Sequence, residues 1–286
     1  MPEHPSMWNA LAGIEFSVSH LDVDGTRTRV LQAGAGQPLV LLHGIGGHLE
    51  AYMYNIASFS RHFRVIAYDM PGHGYSTTAT KDLEISDYVR HLAALLDMLG
   101  HPVVNLNGES LGGWVSIKFA VRYPERMRRL VLNTPGGTMA RPEVMNRLRT
   151  LSQAAADSPT PEAIRARLEW LMAHPETVTD ELVQARQGVY SRASFSESIR
   201  HIMCLQELEV RRRNMVTDEE LHDLEAPTMV VWTSDDPSGP AAAGMHIAET
   251  VPDGRFQLIE DAGHWPQWEQ TERFNEVVLR FLTEAD

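Results

Sequence analysis

A serine lies at the centre of a glycine-rich stretch that could carry nucleophilic chemistry. Residues 108–112 read Gly-Glu-Ser-Leu-Gly, which matches the G-x-S-x-G pattern of a serine on a sharp strand-to-helix turn. The glycines two positions before and after Ser110 give such a turn the room to close. The hydroxyl would stand at a helix N-terminus, where free N–H groups stabilise a developing anion. The pattern also fits a glycine-rich turn with an ordinary capping serine.

Two later loops could supply the partners that a nucleophilic serine needs. A serine requires a base, and the base requires an orienting carboxylate. One loop after a β-rich run carries the adjacent acids Asp235 and Asp236, and the next such loop carries His264. Alone, each would be interpreted as a loop cap or a surface residue. Because the three loops follow three strands in the order nucleophile, acid, base, they predict that Ser110 attacks and His264 is its base.

A third loop predicts stabilisation of an oxyanion. The short apolar run Pro38–Leu42 ends in the segment 43–48, His-Gly-Ile-Gly-Gly-His. This segment lacks the last glycine of a dinucleotide-binding loop, and no Walker lysine follows it. A strand followed by His-Gly and small residues fits the loop that donates an oxyanion N–H. We predict that the N–H groups of Ile45 and Leu111 form the oxyanion hole. The two histidines of the segment lack the companions of a metal site, so no metal is expected.

Strand and helix patterns alternate around these loops. Asp24-Gly25 predicts the turn of an initial hairpin, and the later alternation implies an α/β fold with a doubly wound, mostly parallel sheet. Predicted strands cover 14–20, 28–32, 38–42, 63–68, 102–106, 129–132, 228–232 and 255–259. Predicted helices of this part cover 51–62, 86–100, 111–123, 241–251 and 271–283.

The strands stop between about Thr138 and Thr217. Helical patterns follow one another there, at 141–157, 161–173, 179–187 and 194–216. A helical insertion between two strands would cover the strand ends, where ligands of such sheets bind. We therefore predict a core formed by residues 1–137 and 217–286, with a helical cap from 138 to 216.

Composition narrows the functional classes. The chain has 286 residues, one cysteine and a net charge of −13. The lone Cys204 excludes an internal disulfide framework and fits a reducing cytoplasm. The negative charge argues against nucleic acid and anionic membranes. No apolar run reaches membrane-span length, and residues 1–5 do not resemble a signal peptide. We expect a cytoplasmic protein with a small-molecule substrate, and self-association into a homo-oligomer stays open.

The chain resembles the α/β-hydrolase superfamily over nearly its whole length. His43-Gly44, residues 108–112, Asp236 and Gly263-His264 carry this resemblance. Within the superfamily the chain is similar to the meta-cleavage-product hydrolases, which cleave C–C bonds in bacterial degradation of aromatic rings. The narrower match rests on the segment 263–269, Gly-His-Trp-Pro-Gln-Trp-Glu, and on the cap piece Glu-Leu-Val-Gln-Ala-Arg that ends at residue 186. Of the two acids, the family pattern W-x-x-x-D-x-x-x-P selects Asp236.

This resemblance implies a reaction and a substrate. The expected reaction is serine-dependent cleavage of a C–C bond in a vinylogous 1,5-diketone acid of the 2-hydroxy-6-oxo-hexa-2,4-dienoate type, without metal or organic cofactor. Arg186 would bind the carboxylate with its two-pronged guanidinium, although an exposed helix residue is the alternative. Trp265 and Gly46 are also expected at the substrate. Ser238 and Gly239 stand where the family often carries bulky apolar residues, which predicts room for a bulky aryl substituent.

Two departures from the family pattern concern the polar end of the substrate. Glu109 stands where the family usually has asparagine, and the loop after His43 lacks the family's following Ser-Asn. We expect the Glu109 carboxylate to be hydrogen-bonded to a nearby donor, such as an arginine or Trp114, rather than to face the substrate's own carboxylate, or else to be solvated. A carboxylesterase or lactonase acting on a small hydrophobic ester stays open, since the same triad serves acyl transfer. A non-catalytic binding protein is disfavoured because the triad is complete.

Overall fold

An eight-stranded sheet forms the centre of the computed structural model, which describes residues 6–284. Its strands are β1 (Phe16–Val23), β2 (Thr26–Ala33), β3 (Pro38–Leu42), β4 (Arg64–Tyr68), β5 (Val104–Glu109), β6 (Met127–Asn133), β7 (Thr228–Thr233) and β8 (Gly254–Ile259). They are ordered β1-β2-β4-β3-β5-β6-β7-β8. The strands from β3 to β8 run parallel, and β2 is antiparallel to both of its neighbours. The predicted α/β class with a mostly parallel sheet is confirmed.

The described residues contain twelve α-helices. They are α1 (Met53–Phe59), α2 (Ile85–Leu99), α3 (Leu111–Arg122), α4 (Pro142–Asp157), α5 (Pro161–Glu169), α6 (Asp180–Tyr190), α7 (Phe195–Ile202), α8 (Leu208–Asn214), α9 (Asp218–His222), α10 (Ala241–Thr250), α11 (Pro266–Glu269) and α12 (Thr271–Thr283). None of the helices in this part of the chain is long and apolar enough to cross a membrane. Residues 1–5, on which the expectation of no signal peptide partly rests, lie outside the described residues.

Local chemistry explains several element boundaries. Asp24 and Gly25 have φ of 48° and 78°, and Val23 pairs with Thr26 across them, as a two-residue hairpin with positive φ requires. Gly100 ends α2 with φ of 71°, the left-handed conformation that glycine adopts at least cost. Strand β3 is buried along its whole length, which is why it reads as a continuous apolar run.

Helices α4 to α8 lie between β6 and β7, in the range assigned to the cap. The single helix predicted over 194–216 is wrong, because α7 and α8 are separated by a 3₁₀ turn at Met203–Gln206. No glycine or proline marks this break. Leu205 and Gln206 of the turn line the cavity under the cap. Tertiary packing thus overrides the local helix propensity here.

The two ends of the cap meet beside α3. The Val216 N–H donates a hydrogen bond to the Gly137 carbonyl at 3.0 Å. Trp114 of α3 donates its indole N–H to the Asn214 carbonyl at 2.9 Å. The Lys118 ammonium, one helical turn further on, donates to the Met215 carbonyl at 2.8 Å. The insertion therefore enters and leaves the core at one place.

Candidate active site

Ser110 occupies the strained turn between β5 and α3. Its φ and ψ are 53° and −110°, a conformation that a non-glycine residue adopts only where its surroundings impose it. A Cβ at Gly108 would lie 2.3 Å from the Gly112 carbonyl oxygen, and a Cβ at Gly112 would lie 2.3 Å from that of Leu42. A side chain at Gly108 would prevent the turn from closing, and one at Gly112 would push α3 away from β3. The steric reason for the G-x-S-x-G spacing therefore holds in this structure.

The loops after β7 and β8 bring an acid and a histidine together. Nδ1 of His264 lies 2.9 Å from Oδ2 and 3.0 Å from Oδ1 of Asp236. The Ser238 N–H also donates to Asp236, at 2.8 Å. Burial alone would lower the pKa of His264, but the charge and hydrogen bond of Asp236 raise it above its ordinary value. The neighbouring Asp235 instead accepts a hydrogen bond from Ser234, so Asp236 is the acid that can orient the histidine.

A cavity between the cap and the sheet edge collects most of the predicted site residues. Its wall includes Ile45, Ser110, Leu111, Arg186, Ser238, His264 and Trp265. Among the described residues, Gly46 and Gly239 are not part of this wall. The Gly46 carbonyl accepts a hydrogen bond from the Tyr190 hydroxyl at 3.0 Å, and Gly239 packs against Met139 and Trp232. The predicted roles of the residues on the wall stay predictions, but the structure places them around one space.

His43 fixes the loop that carries Ile45. Its Nδ1–H donates to the Gly44 carbonyl at 2.8 Å, and its Nε2 accepts the Met70 N–H at 3.1 Å. Burial lowers the pKa of His43 to about 3, so the ring is neutral and this pair of bonds defines its tautomer. The histidine is thereby a structural support for the predicted oxyanion loop.

Comparison with known proteins decides the family. A model of the alpha/beta hydrolase fold matches residues 37–271. The chain belongs to this family. It is 33% identical to a 2-hydroxy-6-oxononadienedioate/2-hydroxy-6-oxononatrienedioate hydrolase of Burkholderia vietnamiensis, over 91% of this chain and 92% of that protein. It is 29% identical to a 2-hydroxy-6-oxo-6-phenylhexa-2,4-dienoate hydrolase of Burkholderia cepacia, over 93% and 94%.

A solved structure agrees with these relatives. A meta-cleavage product hydrolase from Pseudomonas fluorescens superposes on this hydrolase with a TM-score of 0.83 at 28% identity, covering 94% of this chain and 98% of that one. The resemblance to meta-cleavage-product hydrolases is thus confirmed, and the chain is a hydrolase.

Glu109 of this hydrolase lies where the sequence did not place it. The side chain is 1% exposed, and its Oε1 is 3.4 Å from Nε2 of His264. A Cβ at Gly44 would be 2.5 Å from both carboxylate oxygens, so the carboxylate packs on the bare Cα of that glycine. The alternative of a solvated side chain is wrong, and the nearby donor is the Gly44 N–H rather than Trp114 or an arginine. The indole N–H of Trp114 donates to the Asn214 carbonyl of the cap instead, and the Glu109 carboxylate lies against Gly44.

The environment of Glu109 contains charges of both signs. Burial raises the pKa of Glu109, against the effects of His264, the Gly44 N–H, Arg186 and Arg167. The buried Tyr52 also faces it, and burial together with the Glu109 charge raises the pKa of that phenol. An ionised Glu109 in turn raises the pKa of His264. The carboxylate therefore acts on the nitrogen of His264 that is not bonded to Asp236.

Glu109→Gln is expected to move the acid limb of the kcat/KM–pH profile to lower pH. His264 must be neutral to serve as a base, so activity is lost as pH falls through the pKa of His264. Removing a neighbouring negative charge lowers that pKa. Glu143 is exposed and lies outside the cavity, so Glu143→Gln is the matched control. It should leave the acid limb of the profile at the wild-type pH. An acid limb that stays fixed or rises in Glu109→Gln would contradict this role.

Two fully buried arginines of the cap line the cavity, and the sequence singled out only one. Arg186 and Arg167 are each 1% exposed and both line the cavity, so the alternative of an exposed Arg186 is wrong. The Arg186 guanidinium lies 5.5 Å from the ring centre of Trp265. Arg167 was missed because it is one of many cap arginines. A signal existed, since Ile164, Arg167 and Leu168 share one helical face, and all three are buried.

Proposed function

We propose that this hydrolase uses Ser110 to cleave the C–C bond of a vinylogous 1,5-diketone acid of the 2-hydroxy-6-oxo-hexa-2,4-dienoate type. The observation that carries the proposal is a buried arginine, Arg186, on the wall of the cavity that also contains Ser110 and His264. A buried guanidinium is suited to a carboxylate, which it can bind with two parallel hydrogen bonds. Relatives that are 33% and 29% identical to this chain are named for substrates of this class.

The proposed chemistry has two stages. The dienol first becomes a ketone: a proton leaves the 2-hydroxyl, and His264 delivers a proton to C5. Ser110 then gives its proton to His264 and attacks the C6 carbonyl carbon, and the Ile45 and Leu111 N–H groups hold the resulting oxyanion, each contributing ~2.7–4 kcal/mol. The C5–C6 bond breaks with its electron pair passing into the dienoate fragment, whose 2-oxygen takes up the proton held by His264. Water activated by His264 finally releases the acyl group from Ser110 as an acid.

A carboxylesterase is the second candidate, because Glu109 places a carboxylate beside Ser110 where the family usually has asparagine, and this charge would repel a carboxylate on the substrate. The test compares bleaching of a yellow 6-phenyl dienolate with release of p-nitrophenol from short esters, using the same enzyme preparation. We expect efficient bleaching and slow ester turnover. Efficient ester turnover without bleaching would refute the C–C reaction and favour the esterase.

We also propose that the substrate carries a bulky aryl group at C6. The support is an apolar part of the cavity wall, formed by Trp114, Met145, Leu148 and Leu205. It is not the space beside Gly239, because a Cβ there would lie 2.4 Å from the methyl carbon of Met139. The proposed aryl site therefore lies toward α4 rather than beside the acid loop.

Leu148→Trp is expected to lower kcat/KM for the phenyl substrate about tenfold and to change that for the methyl substrate much less. The larger side chain would fill the apolar end while leaving the reacting carbons untouched. Parallel kinetics with the two substrates check this. An equal fall in kcat/KM for the two substrates would show that the aryl group does not bind beside α4.

The proposal also covers location and partners. It requires no metal or organic cofactor and places the enzyme in the cytoplasm, supported by a single cysteine, Cys204, that is buried. The net charge of −13 supports a small-molecule substrate rather than a nucleic-acid or anionic-membrane partner.

A further inference from the structure

The two buried arginines of the cavity have hydrogen-bonding capacity that the protein does not use. Nε of Arg167 donates to the Ser152 hydroxyl at 2.9 Å, but its Nη1 has no partner within residues 6–284. Nε and Nη2 of Arg186 also lack partners there. A guanidinium stays charged at neutral pH, and a buried charge without a partner is costly. An anionic ligand would complete both groups.

Arg211 shows what a satisfied arginine of the same cavity looks like. Its Nε donates to the Met139 carbonyl at 2.7 Å, and its Nη1 donates to the Leu205 carbonyl at 3.4 Å. Its guanidinium also lies 5.0 Å from the ring centre of Trp114. These bonds hold the backbone of the cap. Arg167 and Arg186 differ from Arg211 because some of their N–H groups have no hydrogen-bond partner among the described residues.

Arg167 and Arg186 both line the cavity. Arg186 acts electrostatically on Arg167, and both arginines interact with Glu109 and Tyr190. Within residues 6–284 neither arginine forms an ion pair with Glu109, whose Oε1 instead lies 3.4 Å from Nε2 of His264. Two buried positive charges on one cavity wall repel, so the pair favours a ligand with more than one negatively polarised oxygen. In the proposed substrate, the carboxylate and the 2-oxygen stand on adjacent carbons.

Resting on the proposed function, we propose that Arg167 binds the substrate's 2-oxygen while Arg186 binds the carboxylate. The 2-oxygen carries negative charge once the dienol has lost its proton, and Arg167 holds that charge before C5 is protonated. Arg167 is thereby a residue for recognising 2-oxygenated acids. It would supply the polar contacts that Glu109 and the short loop after His43 do not offer.

A binding experiment tests this without turnover. The probes are 2-oxopentanoate and pentanoate, which differ at the 2-position, and isothermal calorimetry gives their affinities for the intact chain. The wild type should bind the 2-oxo acid about tenfold or more tightly. Arg167→Met should abolish this preference and leave the affinity for pentanoate within about twofold, whereas Arg186→Met should weaken both acids.

Controls separate recognition from folding. The exposed Arg147 stacks on the same Trp170 ring as Arg167, at 5.8 Å against 5.6 Å, but lies outside the cavity wall. Arg147→Met should retain both affinities. Arg167→Lys keeps the charge and should retain part of the preference. Thermal unfolding of each variant shows whether the cap is intact.

Three outcomes would overturn the inference. They are equal weakening of both acids in Arg167→Met, an unchanged preference in that variant, or a loss confined to the dicarboxylate glutarate, which would assign Arg167 to a distant carboxylate. In each of these cases dienolate bleaching by the wild type would still support the proposed function. If the wild type neither prefers the 2-oxo acid nor bleaches the dienolate, the proposed function fails as well.

Discussion

Ser110→Ala is expected to lower kcat for dienolate cleavage about 10⁶-fold. Alanine removes the attacking oxygen but keeps a Cβ, so the turn with φ of 53° meets the same steric demand as before. The hydrogen bond from the Ser110 N–H to the Asn133 carbonyl, at 3.0 Å, does not involve the side chain. The variant should therefore fold and bind substrate, and single-turnover absorbance measurements can follow the dienolate.

The matched control for this change is Ser234→Ala, an exposed serine in the loop after β7. It should have the turnover of the wild type. Undiminished turnover in Ser110→Ala would refute the nucleophile and with it the proposed mechanism. Slow formation of the ketone without cleavage would instead separate the two stages, because proton transfer by His264 does not need the serine.

Asp236→Asn is expected to lower kcat about 10⁴-fold. The carboxylate accepts the Nδ1–H of His264 at 2.9 Å and so leaves Nε2 free to take a proton. An asparagine can present its NH₂ group to Nδ1, which would favour the tautomer with the proton on Nε2. The loss of the negative charge should also lower the pKa of His264, so the remaining activity should persist to lower pH.

The chain provides its own control for that variant in the adjacent acid. Asp235 is exposed and accepts a hydrogen bond from Ser234, so Asp235→Asn should change kcat little. Stopped-flow kinetics of the two variants on one substrate make the comparison direct. A larger loss in Asp235→Asn than in Asp236→Asn would show that the acid has been misassigned.

The sequence predicts the sheet well because its signals are local. An apolar run bounded by turn residues defines β3, and the positive-φ pair Asp24-Gly25 defines the first hairpin. The candidate triad could be placed because each member follows a strand, and parallel strands bring their ends to one edge. These positions follow from the element to which each residue belongs.

The positions of cap side chains depend on contacts with residues distant in sequence. Most of the predictions that failed concern such side chains. Arg147 and Arg167 are both cap arginines beside Trp170, yet one is exposed and the other is buried in the cavity. Only the packing of α5 on α4, where Arg167 meets Ser152, distinguishes them. The break at Met203–Gln206 has the same origin. Leu205 packs on the cavity wall, and no helix-ending residue nearby signals this break in the sequence.

Glu109 shows the same limit within the core. Its position at the end of β5 was predictable, but its surroundings depend on the neighbouring strand. Leu42 of β3 pairs with Gly108 of β5, so the residues that follow them in the two strands lie side by side. Gly44, which has no side chain, then leaves room for the Glu109 carboxylate. A register between strands more than sixty residues apart cannot be read from either segment alone.

The hydrogen bond between Val216 and Gly137 has a consequence for how this enzyme can change over time. Because the entry and exit of the cap are already joined, residues inserted or lost within it need not alter the spacing of β6 and β7. For a flexible loop, doubling the length adds only about 0.6 kcal/mol of closure cost. The cap is thus a module that could be lengthened, shortened or replaced by recombination while the loops of Ser110, Asp236 and His264 keep their positions. New substrate preferences can arise in such a lineage without rebuilding its chemistry.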